Sequence, residues 1–189
     1  MLQEKYKTAL NALERLKEGN KLYINSVKGV GDISLEKRQH TWEHGQTPFA
    51  VVVSCSDSRV IPESIFSAGI GDLFVIRVAG NVVDNYQLGS VEYAVEHLGC
   101  KLVVVLGHTG CGAVGAALKE NSGYLKLITD EIRCAIGTES DTVKAGILNI
   151  NHSVSKIKES LPATDGLIVI GALYHTESGV VDFCGECLK

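Results

Sequence analysis

Short apolar runs are the clearest feature of this 189-residue chain, and longer amphipathic stretches separate them. Residues 50–53 (AVVV) and 102–107 (LVVVLG) are too short for ordinary helices and are rich in β-branched side chains. Such runs are typical of strands buried on both faces of a sheet. Similar runs predict three further strands, at residues 73–78, 167–173 and 180–183.

Between these runs, apolar residues recur at helical spacing. The first helix carries a stripe from Leu2 to Leu16 and is predicted to end at Gly19 and Asn20, both of which are common at helix ends. Further helices are predicted at residues 32–44, 62–69, 88–98, 112–120, 124–136 and 142–161.

The alternation of strands and helices predicts an α/β fold. We expect a mostly parallel central sheet of about four strands, with helices on both faces. A turn at residues 177–179 makes the last strand an antiparallel edge strand. We expect one domain over residues 1–189. The helical segment 1–45 either covers this domain or crosses to a second subunit, and we expect it to pack on a partner subunit.

Composition narrows the possible partners and the compartment. The net charge of −4 and the pI near 5.9 give no basic surface for nucleic acid or for an anionic membrane. No apolar run approaches the roughly 18 residues that span a bilayer, and the first residues do not resemble a secretory signal. Metal binding or buried thiols therefore explain the cysteines better than disulfides do, and we expect a cytoplasmic protein. The six cysteines are Cys55, Cys100, Cys111, Cys134, Cys184 and Cys187.

Candidate metal ligands follow two of the predicted strands. Cys55 and Asp57 come after the first strand, and His108 and Cys111 follow the strand that begins at residue 102. Ligand sites in parallel sheets lie beyond the carboxyl ends of the strands. Thiolate, imidazole and carboxylate groups suit zinc better than calcium or magnesium, which prefer oxygen ligands. The sequence therefore predicts a zinc site built from two loops.

Five strings along the chain form a recognisable set, namely CSDSRV (55–60), LFVIRVAGNVV (73–83), SVEYAVEHLG (90–99), HTGCGAV (108–114) and IGALYHTESGVVDF (170–183). They resemble those of the β-class carbonic anhydrases, in the same order and from residue 46 onward. The resemblance implies a zinc ion held by Cys55, His108 and Cys111. It also implies that Asp57 is either a fourth ligand or turned away to leave room for water.

The spacing of Asp57 and Arg59 suggests a way to switch this site. An arginine two residues beyond the aspartate has the planar fork needed to bind its carboxylate in a bidentate manner. With Arg59 engaged, Asp57 is drawn off the metal and is free to act as a base or a hydrogen-bond acceptor. With Asp57 on the metal, the site is closed.

The resemblance also implies the reaction, which is the reversible hydration of carbon dioxide to bicarbonate and a proton. It implies that Gln46 is presented by a neighbouring subunit, and that Phe74, Ala79 and Tyr93 form an apolar lining for the substrate. The backbone amide of Gly112 is a candidate for holding an anion. A homodimer or a dimer of dimers is expected on the same ground.

Some features leave alternatives open. The family subgroup regulated by bicarbonate carries tryptophan where this chain has Val52, so we do not expect that regulation. The pattern Gly110, Gly112, Gly115 matches a dinucleotide fingerprint but lacks the acidic residue at the end of a following strand. The final CGEC, residues 184–187, is interpreted as an inert terminus.

Two alternative functions stay open. One is hydrolysis of carbonyl sulfide or carbon disulfide on the same fold, and the other is a permanently closed zinc-binding module.

Overall fold

The structure is a computed structural model that describes residues 2–25, 31–119 and 121–184. Its helices are α1 (Leu2–Lys5), α2 (Lys7–Asn25), α3 (Leu35–His44), α4 (Pro62–Ile65), α5 (Asn85–Glu96), α6 (Gly112–Ala117), α7 (Leu125–Ile136) and α8 (Thr142–Ser160). Its strands are β1 (Ala50–Ser54), β2 (Leu73–Arg77), β3 (Leu102–His108), β4 (Ile168–Tyr174) and β5 (Val181–Cys184). A short 3-10 turn, Ala79–Asn81, follows β2.

The five strands form one sheet in the order β2-β1-β3-β4-β5. The first four strands are parallel, and β5 runs antiparallel to β4 at one edge. The predicted fold class is therefore confirmed. Residues 185–187 of the CGEC pattern lie outside the described residues. So does residue 120, the last residue of the helix predicted at 112–120.

Side chains of the central strands alternate between two apolar layers, because successive residues of a strand point to opposite faces. On β1, Ala50 and Val52 pack beneath α2 and α4, whereas Val51 and Val53 pack beneath α5 and α8. A third cluster lies between α6, α7 and the start of α8. Both faces of the central sheet are thus covered, which explains why β1, β3 and β4 are nearly continuous apolar runs.

The predicted end of the first helix is wrong, since α2 continues through Gly19 and Asn20 to Asn25. A Cβ atom at residue 19 would lie 1.9 Å from the carbonyl oxygen of Phe66, so glycine is needed there for close packing. Asn20 is buried and donates to the carbonyls of Ile65 and Gly179. These two residues dock the helix instead of ending it.

Helix α2 lies on the sheet of its own chain, with Ala9, Ala12 and Leu16 in the core. Helix α3 has no buried residue. The expectation that residues 1–45 pack on a partner subunit stays a prediction, and α3 is one described part of that segment whose side chains are free to do so. No helix in the described ranges is long and apolar enough to cross a membrane.

Candidate metal centre

The fold brings the two predicted ligand loops together. Strands β1 and β3 are parallel neighbours, with Ser54 beside Leu106, so Cys55 and His108 emerge at the same edge of the sheet. The chain leaves β1 for β2 on one side and leaves β3 for β4 on the other. Such a switch point opens a crevice at the carboxyl ends of the strands. Cys111 reaches the crevice as the residue before α6.

Cys55, His108 and Cys111 form one compact group, whose ligand atoms all lie within 4.8 Å of one another. The Sγ atoms of Cys55 and Cys111 are 4.0 Å apart, far beyond the roughly 2.05 Å of a disulfide bond. Two zinc–sulfur bonds of about 2.3 Å at a tetrahedral angle would separate the sulfurs by about 3.8 Å. The spacing therefore fits two thiolates on one zinc ion.

His108 is oriented to complete this group. Its Nδ1 lies 3.0 Å from the carbonyl oxygen of Thr109, so Nδ1 carries the proton. Its Nε2 is buried and has no hydrogen-bond partner within the described residues. A buried nitrogen with a free lone pair is rare unless it binds an ion. The imidazole thus fits a zinc ligand.

The two thiols have opposite pKa shifts. The hydrogen bond from Cys111 lowers the pKa of Cys55 to about 4 against the effect of burial, and backbone N–H groups assist it. Those N–H groups belong to Gly80 and Asp57, at 3.2 and 3.4 Å from the sulfur. The hydrogen bond to Cys55 and burial both raise the pKa of Cys111. Without a metal ion the pair thus retains one proton, whereas a bound cation favours two thiolates.

Asp57 stands beside this group but faces Arg59. The Arg59 guanidinium donates from Nε to Oδ1 at 2.9 Å and from Nη2 to Oδ2 at 2.7 Å. These hydrogen bonds hold the pKa of the Asp57 carboxyl well below its usual range. Its Oδ2 nevertheless lies 3.8 Å from Nε2 of His108. The carboxylate is therefore outside the three-residue group and within reach of anything bound there.

Two arginines brace the loop. Arg59 also donates to the carbonyl of Gly110 at 3.2 Å and so joins both loops. Arg77, at the end of β2, donates to the carbonyls of Cys55 and Asp57 at 3.3 and 2.8 Å. Sequence reasoning gave Arg77 no role in the site, although a charged residue closing an apolar strand was a usable signal.

The residues predicted to bind substrate lie in two parts of the structure, one beside the metal ligands and one farther back along the sheet. Ala79 precedes Gly80, whose N–H contacts Cys55, and Gly112 directly follows Cys111. Phe74 pairs with Val51, four residues before Cys55, and so lies about 13 Å back along the sheet. Tyr93 packs against Phe74, with 6.1 Å between ring centroids.

Gln46 is exposed in the segment between α3 and β1. Gln46, Phe74 and Tyr93 thus lie toward the opposite end of β1 from the metal ligands of their own chain.

Comparison with known proteins gives a consistent result. A family model for carbonic anhydrase matches residues 50–181. The chain is 36% identical over 188 residues to a carbonic anhydrase of Mycolicibacterium smegmatis, with 90% of this chain and 91% of the relative covered. It is 49% identical over 115 residues to carbonic anhydrase 2 of Mycobacterium tuberculosis, with 60% and 55% covered.

Solved structures with similar folds are also carbonic anhydrases. The β-carbonic anhydrase CafA of Aspergillus fumigatus matches with a TM-score of 0.67 and 29% identity over 78% of this chain and 80% of its own. The β-carbonic anhydrase CcaA matches with a TM-score of 0.67 and 28% identity over 93% and 92%. One of two tetrameric β-carbonic anhydrases of Sordaria macrospora matches with a TM-score of 0.66 and 27% identity over 79% and 88%.

Proposed function

This chain belongs to the β-class carbonic anhydrase family, and on that premise we propose that its metal centre catalyses the reversible hydration of carbon dioxide to bicarbonate and a proton. The observation that carries the proposal is the group formed by Cys55, His108 and Cys111, with the His108 Nε2 free and Asp57 held to one side. Zinc is the cofactor, and when bound it supplies a Lewis acid that makes a water molecule acidic enough to react near neutral pH.

Asp57 and Arg59 act on the reacting water in this proposal. Because Arg59 occupies the carboxylate on both oxygens, Asp57 stays off the metal and the site stays open. The lowered pKa of Asp57 makes it a poor proton store but a permanent hydrogen-bond acceptor. We assign it to orient the water through an accepted hydrogen bond at Oδ2, the oxygen 3.8 Å from His108 Nε2. Ala79 and Gly112, the chain neighbours of Gly80 and Cys111, would border this position.

The substrate pocket would be completed by a second copy of the chain. Gln46, Phe74 and Tyr93 lie away from their own metal ligands, and Tyr93 is 46% exposed. Nearby, α3 has no buried residue, and its Trp42 is 83% exposed. We infer a homodimer in which this surface of one protomer faces the crevice of the other. Gln46 would then bind a substrate oxygen there, between apolar rings suited to an uncharged molecule.

A reducing compartment fits the state of the thiols, and we infer the cytoplasm. Each cysteine whose side chain the structure describes is free, namely Cys55, Cys100, Cys111 and Cys134. Two of them must stay reduced to bind metal.

Stopped-flow measurement of carbon dioxide hydration tests the function. The zinc-loaded wild type should be active, and Cys111→Ser should lose both zinc and activity. Cys134→Ser, which alters an exposed thiol on α7, is the matched control and should retain both. A fully zinc-loaded wild type without hydration activity at any pH would contradict the proposal. Parallel assays with carbonyl sulfide and carbon disulfide would then identify a related hydrolase.

A further inference from the structure

A buried polar network joins α8 to the metal centre through the Ala79–Asn81 turn. Asn149 donates from Nδ2 to the carbonyl of Gly80 at 2.7 Å, and Ser153 donates from Oγ to the carbonyl of Asn81 at 3.2 Å. Gly80 donates its own N–H to the Cys55 sulfur at 3.2 Å. Gly80 therefore links the side-chain amide of Asn149 on α8 directly to the sulfur of Cys55, a proposed metal ligand.

The turn has a backbone shape that needs outside support. Gly80 and Asn81 both have positive φ, at 70° and 47°, and the second of these is not glycine. Two consecutive left-handed residues form an uncommon arrangement that persists only where its surroundings impose it. The two carbonyls that Asn149 and Ser153 bind are those of these two residues. Helix α8 thus stabilises the conformation that aims the Gly80 N–H at Cys55.

Packing brings α8 close enough to do this. Gly107 on β3 has no side chain, and a Cβ atom there would lie 2.5 Å from Cδ1 of Ile150. Ile150 therefore packs directly against β3, and the neighbouring Asn149 reaches the Ala79–Asn81 turn. Asn149 is 1% exposed, and its Oδ1 has no hydrogen-bond partner among the described residues. A buried amide oxygen without a hydrogen bond destabilises the fold, so packing alone does not explain an asparagine at this position.

We propose that Asn149 is a positioning residue of the metal centre, which holds the Gly80 N–H on the Cys55 thiolate by binding the Gly80 carbonyl. This inference rests on the proposed zinc site. A hydrogen bond to a ligating thiolate withdraws electron density from the sulfur and fixes its direction. Without Asn149 the turn can relax, and Cys55 becomes a more electron-rich and less well-directed ligand.

Metal binding measured on the full chain tests the proposal. Asn149→Ala should raise the zinc dissociation constant, obtained by chelator competition, by about 10-fold or more. In the cobalt-substituted protein, the thiolate-to-cobalt charge-transfer band should move to longer wavelength, because a sulfur without its N–H donor gives up an electron more easily. Asn151→Ala, an exposed asparagine on the same helix, is the matched control and should behave like the wild type.

The two readouts separate positioning from general loosening. A disordered α8 would also release the Gly80 turn, so the band shift counts for positioning only where the helical circular dichroism of Asn149→Ala matches the wild type. An unshifted cobalt band in Asn149→Ala overturns the proposal. If that variant does not fold, Asn149→Ser carries the same test, since its hydroxyl stops one bond short of the amide nitrogen. A wild-type protein that binds no zinc would instead overturn the metal centre itself, and this inference with it.

Discussion

Arg59 is the residue whose role is most sharply defined by its contacts. It binds both oxygens of Asp57 and also the carbonyl of Gly110, so one side chain sets the position of the carboxylate and the spacing of the two loops. A lysine has a single ammonium group and cannot form the same fork. The proposed open state of the site therefore depends on guanidinium geometry and not on positive charge alone.

Arg59→Ala should keep the zinc ion but lose most of the hydration activity. Released from its ion pair, Asp57 is free to turn toward the three metal ligands and to occupy the place of the reacting water, since its Oδ2 lies only 3.8 Å from His108 Nε2. We expect kcat/KM to fall about 100-fold or more, which is the scale of the loss when a reacting group is misplaced. Stopped-flow turnover and the zinc content of the same samples measure the effect. Arg59→Lys should recover only part of the loss, and unchanged turnover in the alanine variant would refute the open and closed states.

Residues close together in sequence were predictable, whereas those brought together by folding were not. The pairing of Asp57 with Arg59 follows from their spacing. Four candidate ligands follow from their positions after two strands, whereas the set of three without Asp57 was implied only by the family resemblance. Asn149 lies 69 residues from Gly80, and no local pattern connects them. The available signal was that Asn149 and Ser153 occupy neighbouring turns of a helix face otherwise given to Ile150 and Val154. Polar residues on a buried stripe need partners, which the sequence alone does not identify.

At the scale of elements, α2 shows how tertiary contacts override local end signals. Asn20 is 5% exposed and accepts from the N–H of Val181 at 3.0 Å, in addition to donating to two carbonyls. Asparagine after glycine is a common helix stop, but here both residues face the core. Strand limits were predicted more closely because β1, β3 and β4 are continuous buried runs, whose ends coincide with a change from apolar to polar residues.

Asn20→Ala should destabilise the protein by about 2–4 kcal/mol, because it leaves buried backbone groups without partners. Urea unfolding of the metal-free protein measures this as a lower midpoint with little change in slope. Asn25→Ala is the matched control, since Asn25 is exposed and, among the described residues, its amide donates to the carbonyl of Lys21 one turn back. Equal unfolding midpoints for the two variants would show that Asn20 does not anchor α2.

For the whole molecule, the sequence predicted the sheet but gave little guidance on assembly. Alternating strands and helices define the order of layers, whereas a subunit contact depends on which exposed groups lie together after folding. Among the described residues, exposed aromatic side chains mark more than one candidate surface of this kind. One surface includes Trp42 on α3, and another includes Tyr124 beside α7, which is 91% exposed.

Trp42→Ala should dissociate the proposed homodimer, since large aromatic side chains contribute most to such interfaces. Sedimentation across a concentration series should show a weakened dimer, and activity should fall with it because Gln46 no longer reaches the partner's crevice. Tyr124→Ala is the matched aromatic control and should remain dimeric. Dissociation by the Tyr124 change alone would place the contact on the α7 surface instead.

Zinc should also stabilise the whole fold, because its ligands come from distant parts of the chain. Cys55 and Cys111 are 56 residues apart, so the unfolded chain does not hold them in place for the metal. A ligand that binds only the native state adds about 2.7 kcal/mol at a free concentration 100 times its dissociation constant. Removing zinc with a chelator should therefore lower the Tm of the wild type, and adding zinc back should restore it. Cys111→Ser should show little response to either treatment, whereas Cys134→Ser should respond like the wild type. An unchanged wild-type Tm after complete zinc removal would mean that the metal does not couple to folding, and that the three ligands are held by the sheet alone.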